Sequence, residues 1–235
     1  MRTYLYAYLR QGTVCLGLTS STHVVLGGLK RSPNELASYQ KKLQKIDEHM
    51  GVGMSGLTAD GRSLVKYMRT EVLNHKYVYG TPMQCSRLIL DLADMHQRCT
   101  QTYVRRPYGV GLLVASFDQT GPHLYGTETS GNYHEYFAMA MGSRSQTSRT
   151  YLEREYESFA NASVDDLIKH ALKALAASLS ADTELDTKSA SISIVGKDTP
   201  YTLLEGADLQ KYLDEIEVEG EGDMAEEGEI EDVDA

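Results

Sequence analysis

Residues 110–117 read VGLLVASF, an almost continuous apolar run. A strand with apolar side chains on both faces has to be covered on both. Asp118-Gln119-Thr120-Gly121 follows as a turn, and His123–Tyr125 starts a return strand. The join reads as a hairpin, so the sheet is antiparallel. A sheet of this kind, buried inside the molecule, asks for further layers.

The rest of the chain supplies them. Thr13–Leu18 and Thr22–Leu29 are β-rich runs, and the polar Ser20-Ser21 between them suggests another hairpin. Residues 31–40 read as a loop or a short helical turn. Leu43, Ile46, Met50, Val52 and Met54 suggest two strands broken near Asp47-Glu48. Thr58–Tyr77 is predicted helical, capped by Thr58 or Asp60, with Leu64, Met68, Val72 and His75 on one stripe. A second helix follows Pro82, its apolar set being Cys85, Leu88, Ile89, Leu92, Met95 and Cys99. Arg105-Arg106-Pro107-Tyr108-Gly109 is a break. Tyr136–Met141 reads as a strand. Ser145–Phe159 and Ser163–Leu179 read as helices, the latter N-capped by Ser163 with Asp166 three residues on. Ile192 and Ile194 alternate with Ser191 and Ser193, the pattern of a half-buried strand. Tyr201–Leu204 is a short strand and Ala207–Leu213 a last helix. The order predicts an α+β fold, helices outside and antiparallel sheets stacked inside.

No internal repeat or linker divides the chain, so residues 1–213 read as one domain. Residues 214–235 hold twelve acidic residues and no basic one, which reads as a solvated, disordered tail. The formal charge of −10 arises there: the remaining residues hold 21 acidic against 23 basic side chains. Nothing in that balance marks a nucleic-acid binder. No apolar run reaches the roughly 18 residues that span a bilayer, and the N-terminus lacks a signal-peptide pattern. Cys15, Cys85 and Cys99 are widely spaced, which argues for buried thiols in a reducing compartment and against a zinc site. No cofactor is expected.

Three patterns invite a chemical reading. Gly51-Val52-Gly53-Met54-Ser55-Gly56 matches the dinucleotide fingerprint GxGxxG. It lacks the apolar strand before the first glycine, and its helix caps, Thr58 and Asp60, come after the motif. Small residues where another backbone packs close explain it better. Gly12-Thr13 is the second: cleavage there would make Thr13 a nucleophile with its own amine as base. Lys42 would tune it, but the second strand ends Leu26-Gly27-Gly28-Leu29-Lys30-Arg31, without the acid such a site needs. Arg105-Arg106, the third, reads as a solvated loop.

Four segments carry a resemblance. They are Gly56-Leu57-Thr58-Ala59-Asp60-Gly61-Arg62; Arg106-Pro107-Tyr108-Gly109-Val110-Gly111-Leu112-Leu113; Gly142-Ser143-Arg144-Ser145-Gln146 leading to Tyr151-Leu152-Glu153-Arg154; and Ser191-Ile192-Ser193-Ile194-Val195-Gly196-Lys197-Asp198. Over about residues 11–213 the chain resembles α-type subunits of the proteasome core particle, most of all the type 1 subunit at the alpha-six position. The resemblance implies a four-layer αββα sandwich of the N-terminal-nucleophile hydrolase type. It implies no catalytic residue here: catalytic β types carry an acid near the end of the second strand, where this chain has Leu29. It implies a place in a seven-membered α ring, against β-ring subunits, in the cytoplasm and nucleus. It also implies a pocket of Lys42, Gly56 and Leu57 that receives the C-terminal tails of regulatory-particle ATPases or other activators. Members of the family begin with a pore-closing tail and a helix of the form GR-x-x-Q-x-EYA-x-EA. Only Tyr4–Gln11 stand before Gly12, so the chain is expected to lack most of that gate segment and first helix.

Overall fold

The computed structural model describes residues 12–32, 36–102, 105–179 and 185–216. Their strands are β1 (Cys15–Thr19), β2 (His23–Leu29), β3 (Leu43–Asp47), β4 (Met50–Gly56), β5 (Val110–Asp118), β6 (Gly121–Thr127), β7 (Tyr133–Glu135), β8 (Ala138–Met141), β9 (Ala190–Gly196) and β10 (Thr199–Leu204). Their helices are α1 (Thr58–Tyr79), α2 (Cys85–Gln101), α3 (Ser145–Phe159), α4 (Val164–Ala176) and α5 (residues 207–216).

Two antiparallel five-stranded sheets form, in the orders β10-β9-β2-β1-β8 and β3-β4-β5-β6-β7. Helices α1 and α2 pack on the second sheet, α3 and α4 on the first, and the sheets face each other. This is the four-layer sandwich expected. Three apolar clusters fill the three gaps between layers. Leu16, Ile192, Leu167 and Leu172 lie between the first sheet and its helices. Met50, Leu64, Leu88 and Leu112 lie between the second sheet and α1 and α2. Cys15, Leu26, Leu43, Leu113 and Leu124 form the gap between the sheets. Alternate residues of β5 therefore enter different cores, which is why its sequence is apolar throughout.

Several local expectations need correcting. Neither Thr58 nor Asp60 caps α1; Leu57 holds the N-cap position without a side-chain bond, because the Asp60 carboxylate is taken by Arg106 and Gly109. Helix α4 starts as expected, with Ser163 accepting the Asp166 N–H, but ends at Ala176. The predicted strand Tyr136–Met141 is shorter, β8 starting only at Ala138, and the separate strand β7 just before it was not predicted. β7 closes the second sheet, and after Tyr136 and Phe137 the chain crosses to β8 in the first. β9 is buried along its whole length, Ser191 and Ser193 included, because it lies between β2 and β10 with helices on one face and the other sheet on the opposite face. The last helix runs past Leu213 to residue 216, and Glu215 pairs with Lys169 at 3.1 Å. Residues 1–11, where the chain was expected to lack most of the gate segment and first helix, and residues 217–235 of the acidic tail lie outside the described residues.

Candidate functional site

Five chain segments meet at one end of the sandwich: the entry to β1, the exit of β2, the entry to β3, the exit of β4 and the turn after β8. Thr13 stands at their centre. Its carbonyl accepts hydrogen bonds from the Lys42 ammonium and from the Ser55 hydroxyl at 3.1 Å. Its own hydroxyl donates to the Leu29 carbonyl. One residue earlier, the Gly12 carbonyl accepts the Ser143 N–H at 2.7 Å. The structure thus brings together Thr13 and Lys42, and it sets the backbone carbonyl of Leu29 against the Thr13 hydroxyl.

Lys42 lies inside the protein, unlike its exposed neighbour Lys41. It is 5% exposed, and burial lowers its pKa to about 8, against a smaller opposing pull from the Cys15 thiol. Burial likewise raises Cys15 to about 11, with the Lys42 charge working the other way. Both shifts follow from the cost of carrying charge in a poorly solvated site. Above Lys42 lies a depression of about 190 Å³, whose lining includes Gly56, Arg31, Gln40 and Lys41. Gly56 adopts φ +123°, and a Cβ there would stand 2.3 Å from the Gly109 carbonyl. A side chain is excluded on both counts. Leu57 is half-buried beside it, at the N-cap of α1.

The other two glycines of the GxGxxG pattern act within the packing. A Cβ on Gly51 would stand 2.0 Å from the Tyr201 ring, and one on Gly53 would stand 2.3 Å from the Cys15 sulfur. They let the two sheets close against each other, and α1 begins at Thr58, beyond the motif. Among the described residues, no cluster of three or more His, Cys, Asp or Glu side chains is placed to hold a metal ion.

Beside this site the Arg106–Gly109 segment is anchored by Asp60. Its carboxylate accepts from Arg106 Nη1 at 2.6 Å, Nη2 at 2.7 Å and the Gly109 N–H at 2.9 Å. The Arg106 hydrogen bond is the leading cause holding the Asp60 carboxyl below its ordinary range. Arg106 was expected in a solvated loop; it is exposed, yet fixed. Sequence reasoning also passed over Ser55 and the Ser143 N–H, since neither carries a signal until the fold brings β4 and the β8 turn to Thr13.

Residues 9–195 match the family model described as proteasome subunit. The chain belongs to the proteasome subunit family. It is 48% identical over 217 residues to the proteasome subunit alpha type-1 of Dictyostelium discoideum, covering 92% of this chain and 88% of that one. It is 46% identical to a probable proteasome subunit alpha type-6 of Schizosaccharomyces pombe, over 91% and 78% of the two chains. With the alpha type-6 subunit of Saccharomyces cerevisiae the identity is 43%, over 89% and 90%. As a proteasome subunit of α type it carries the segments singled out above at the places where the fold needs them. Gly56-Leu57-Thr58 turns β4 into α1, Arg106–Gly109 anchors on Asp60, and Gly142-Ser143 closes on Gly12.

Proposed function

We propose that this chain is a structural, non-catalytic member of the outer α ring of the proteasome core particle. In that role it templates the β ring, contributes to the gated entrance and docks activator tails in ubiquitin-dependent protein degradation, in the cytoplasm and nucleus. The observation that carries the reading is the state of Thr13. Its hydroxyl is donated to the Leu29 carbonyl, and Gly12 stands before it in a continuous chain. A threonine nucleophile needs a free amine as base; with Gly12 attached Thr13 has none, and its hydroxyl meets a backbone carbonyl rather than a carboxylate. The competing reading, a threonine protease released at Gly12-Thr13, requires that the mature chain begin at Thr13. Intact-mass measurement of the chain in the assembled particle tests this. We expect residues before Thr13 to be present and Thr13→Ala to leave peptidase activity unchanged. A mature chain starting at Thr13, or a large loss of activity in a normally assembled Thr13→Ala particle, overturns the non-catalytic reading.

For the tail pocket, the support is charge and shape. Lys42 gives one of its three N–H donors to Thr13, leaving donors for an incoming carboxylate, and Arg31 and Lys41 line the same depression. Gly56 leaves the approach open; Leu57, expected to line the pocket, is not among the residues that line this depression. Lys42→Met is expected to weaken binding of an activator C-terminal peptide to the particle about tenfold, the scale of one hydrogen bond to a charged group. Unchanged affinity would remove Lys42 from the pocket.

A further inference from the structure

After β2 the chain reads Lys30-Arg31-Ser32-Pro33, a serine with two basic residues before it and a proline directly after it. Proline keeps the residue before it out of the helical region and brings no N–H of its own. Protein kinases of the proline-directed class select such a serine, because any other residue after it would bring an N–H that their groove leaves unsatisfied. Glu35 stands where some members of that class want a base, which leaves those that read the proline alone. Ser32 is half-buried. Its hydroxyl donates to the Ala37 carbonyl at 3.0 Å, a neutral bond within its own loop, and bonds of that kind contribute little net stability. Leu36 of the same loop is 98% exposed.

Both feet of this loop stand at the Lys42 depression. The Gln40 N–H donates to the Arg31 carbonyl at 3.2 Å, and Arg31, Gln40, Lys41 and Lys42 all line the depression, which has no carboxylate among its lining residues. Lys30 already pairs with Glu205 at 3.0 Å. Among the described residues no ion pair engages Arg31, Lys41 or Lys42. Ser32 follows Arg31 by one Cα step, about 3.8 Å.

We propose that Ser32 is a phosphorylation site, and that its phosphate takes up the cations of the depression and competes there with an incoming carboxylate. This rests on the tail-pocket reading and adds how that pocket is regulated. The γ-phosphoryl group of ATP passes to the serine oxygen. The bond formed is Oγ–P, the bond broken joins the γ-phosphorus to the β–γ bridging oxygen, ADP leaves, and the hydroxyl proton goes to the kinase's base. The product carries about −1.5 to −2 charges at neutral pH. It has lost the proton given to the Ala37 carbonyl, and two acceptors then face each other, so the side chain is driven from that partner. Guanidinium forks and ammonium groups are the partners a phosphate takes; here they lie one residue back at Arg31 and across the closing hydrogen bond at Lys41 and Lys42. A carboxylate that arrives afterwards meets cations already engaged and like charge at the rim.

Particles are purified from cells that carry the tagged wild type, Ser32→Ala or Lys42→Met, and are stripped with a phosphatase. Each is then incubated with ATP, with or without a purified mitogen-activated protein kinase, and phosphate on this chain is mapped by mass spectrometry. A photo-reactive peptide with the C-terminal residues of a regulatory-particle ATPase is added, and its adducts on this chain are measured after irradiation. Ser32 of the wild type is expected to take the phosphate. The yield of adducts should then fall about tenfold, the scale of one hydrogen bond to a charged group, and recover after a second phosphatase treatment. Ser32→Ala should give the yield of unmodified wild type with and without kinase. Kinase-treated wild type without phosphate on Ser32 overturns the inference. So does an equal fall in kinase-treated Ser32→Ala, or an unchanged yield from the phosphorylated chain while Lys42→Met lowers it; each of these leaves the tail pocket standing. A Lys42→Met yield equal to that of unmodified wild type overturns the tail-pocket reading itself, and this inference with it.

Discussion

The Asp60 carboxylate ties the segment after α2 to the first turn of α1 through three hydrogen bonds. Its carboxyl is held below the ordinary range, led by the Arg106 bond. The stability it adds is therefore complete above the unfolded value of about 3.9 and is lost as pH falls through the folded value. Asp60→Asn is expected to destabilise the chain by about 1–3 kcal/mol at neutral pH, the scale of hydrogen bonds to a charged group. The deficit against wild type should shrink on acidification, as urea unfolding from pH 7 to pH 3 will read out. His96 has the opposite pH logic. It is fully buried in α2, with Nδ1 2.9 Å from the Glu128 carbonyl, so Nδ1 carries the proton and donates. Burial lowers its pKa. The unfolded chain then binds a proton that the folded one refuses, and stability falls as pH drops through about 6.5. His96→Gln should flatten the dependence of Tm on pH between about 7 and 5. It should not abolish it, because His23 is lowered by burial in the same direction. Neither role was legible in the sequence. Asp60 matched a helix cap, and His96 lay between two apolar positions of a stripe; each takes its partner from a distant segment.

Both sheets end in strands with outward backbone groups, and on each flank an arginine from the covering helix takes one of them. Arg69 of α1 donates from Nε at 2.9 Å and Nη2 at 2.7 Å to the Lys45 carbonyl of β3. Arg149 of α3 donates to the Ala140 carbonyl of β8 at 2.7 Å. Occupied carbonyls cannot template an added strand. The double variant Arg69→Ala/Arg149→Ala is expected to lose about 1–2 kcal/mol of stability, since the Arg69 contact is exposed and the Arg149 contact only part-buried. It should nevertheless aggregate at lower protein concentration than wild type, measured by light scattering on mild warming; unchanged scattering would show that the edges are guarded otherwise. At this scale the sequence was most readable. Helices α1 to α4 follow from 3.6-residue apolar periodicity, and β5 from its unbroken apolar run. The short, wholly exposed β7 has no apolar signal at all. β9 misled because Ser191 and Ser193 are buried by position in the stack, which an alternating pattern does not reveal.

Across the whole molecule, the contact between the sheets depends on missing side chains. Gly53 faces the Cys15 sulfur and Gly51 the Tyr201 ring, each too closely for a Cβ. Gly53→Ala is expected to cost about 1–3 kcal/mol by overpacking. Cys15→Ala in the same chain should recover part of that loss. A double-mutant cycle in urea that gives simple additivity would mean that the sheets part without regard to this contact. The order of strands has a further consequence, for synthesis. All five strands of the second sheet, with α1 and α2, come from the continuous stretch 43–135. The first sheet joins β1 and β2 to β8, β9 and β10, and Leu29 pairs with Ala190. As the chain leaves the ribosome, one half of the sandwich has all its strands while its inner face, with Leu113 and Leu124, still waits for a cover. Until residue 196 emerges, that face is open to any other apolar surface. The interval in which the subunit most needs shielding is thus written into its topology.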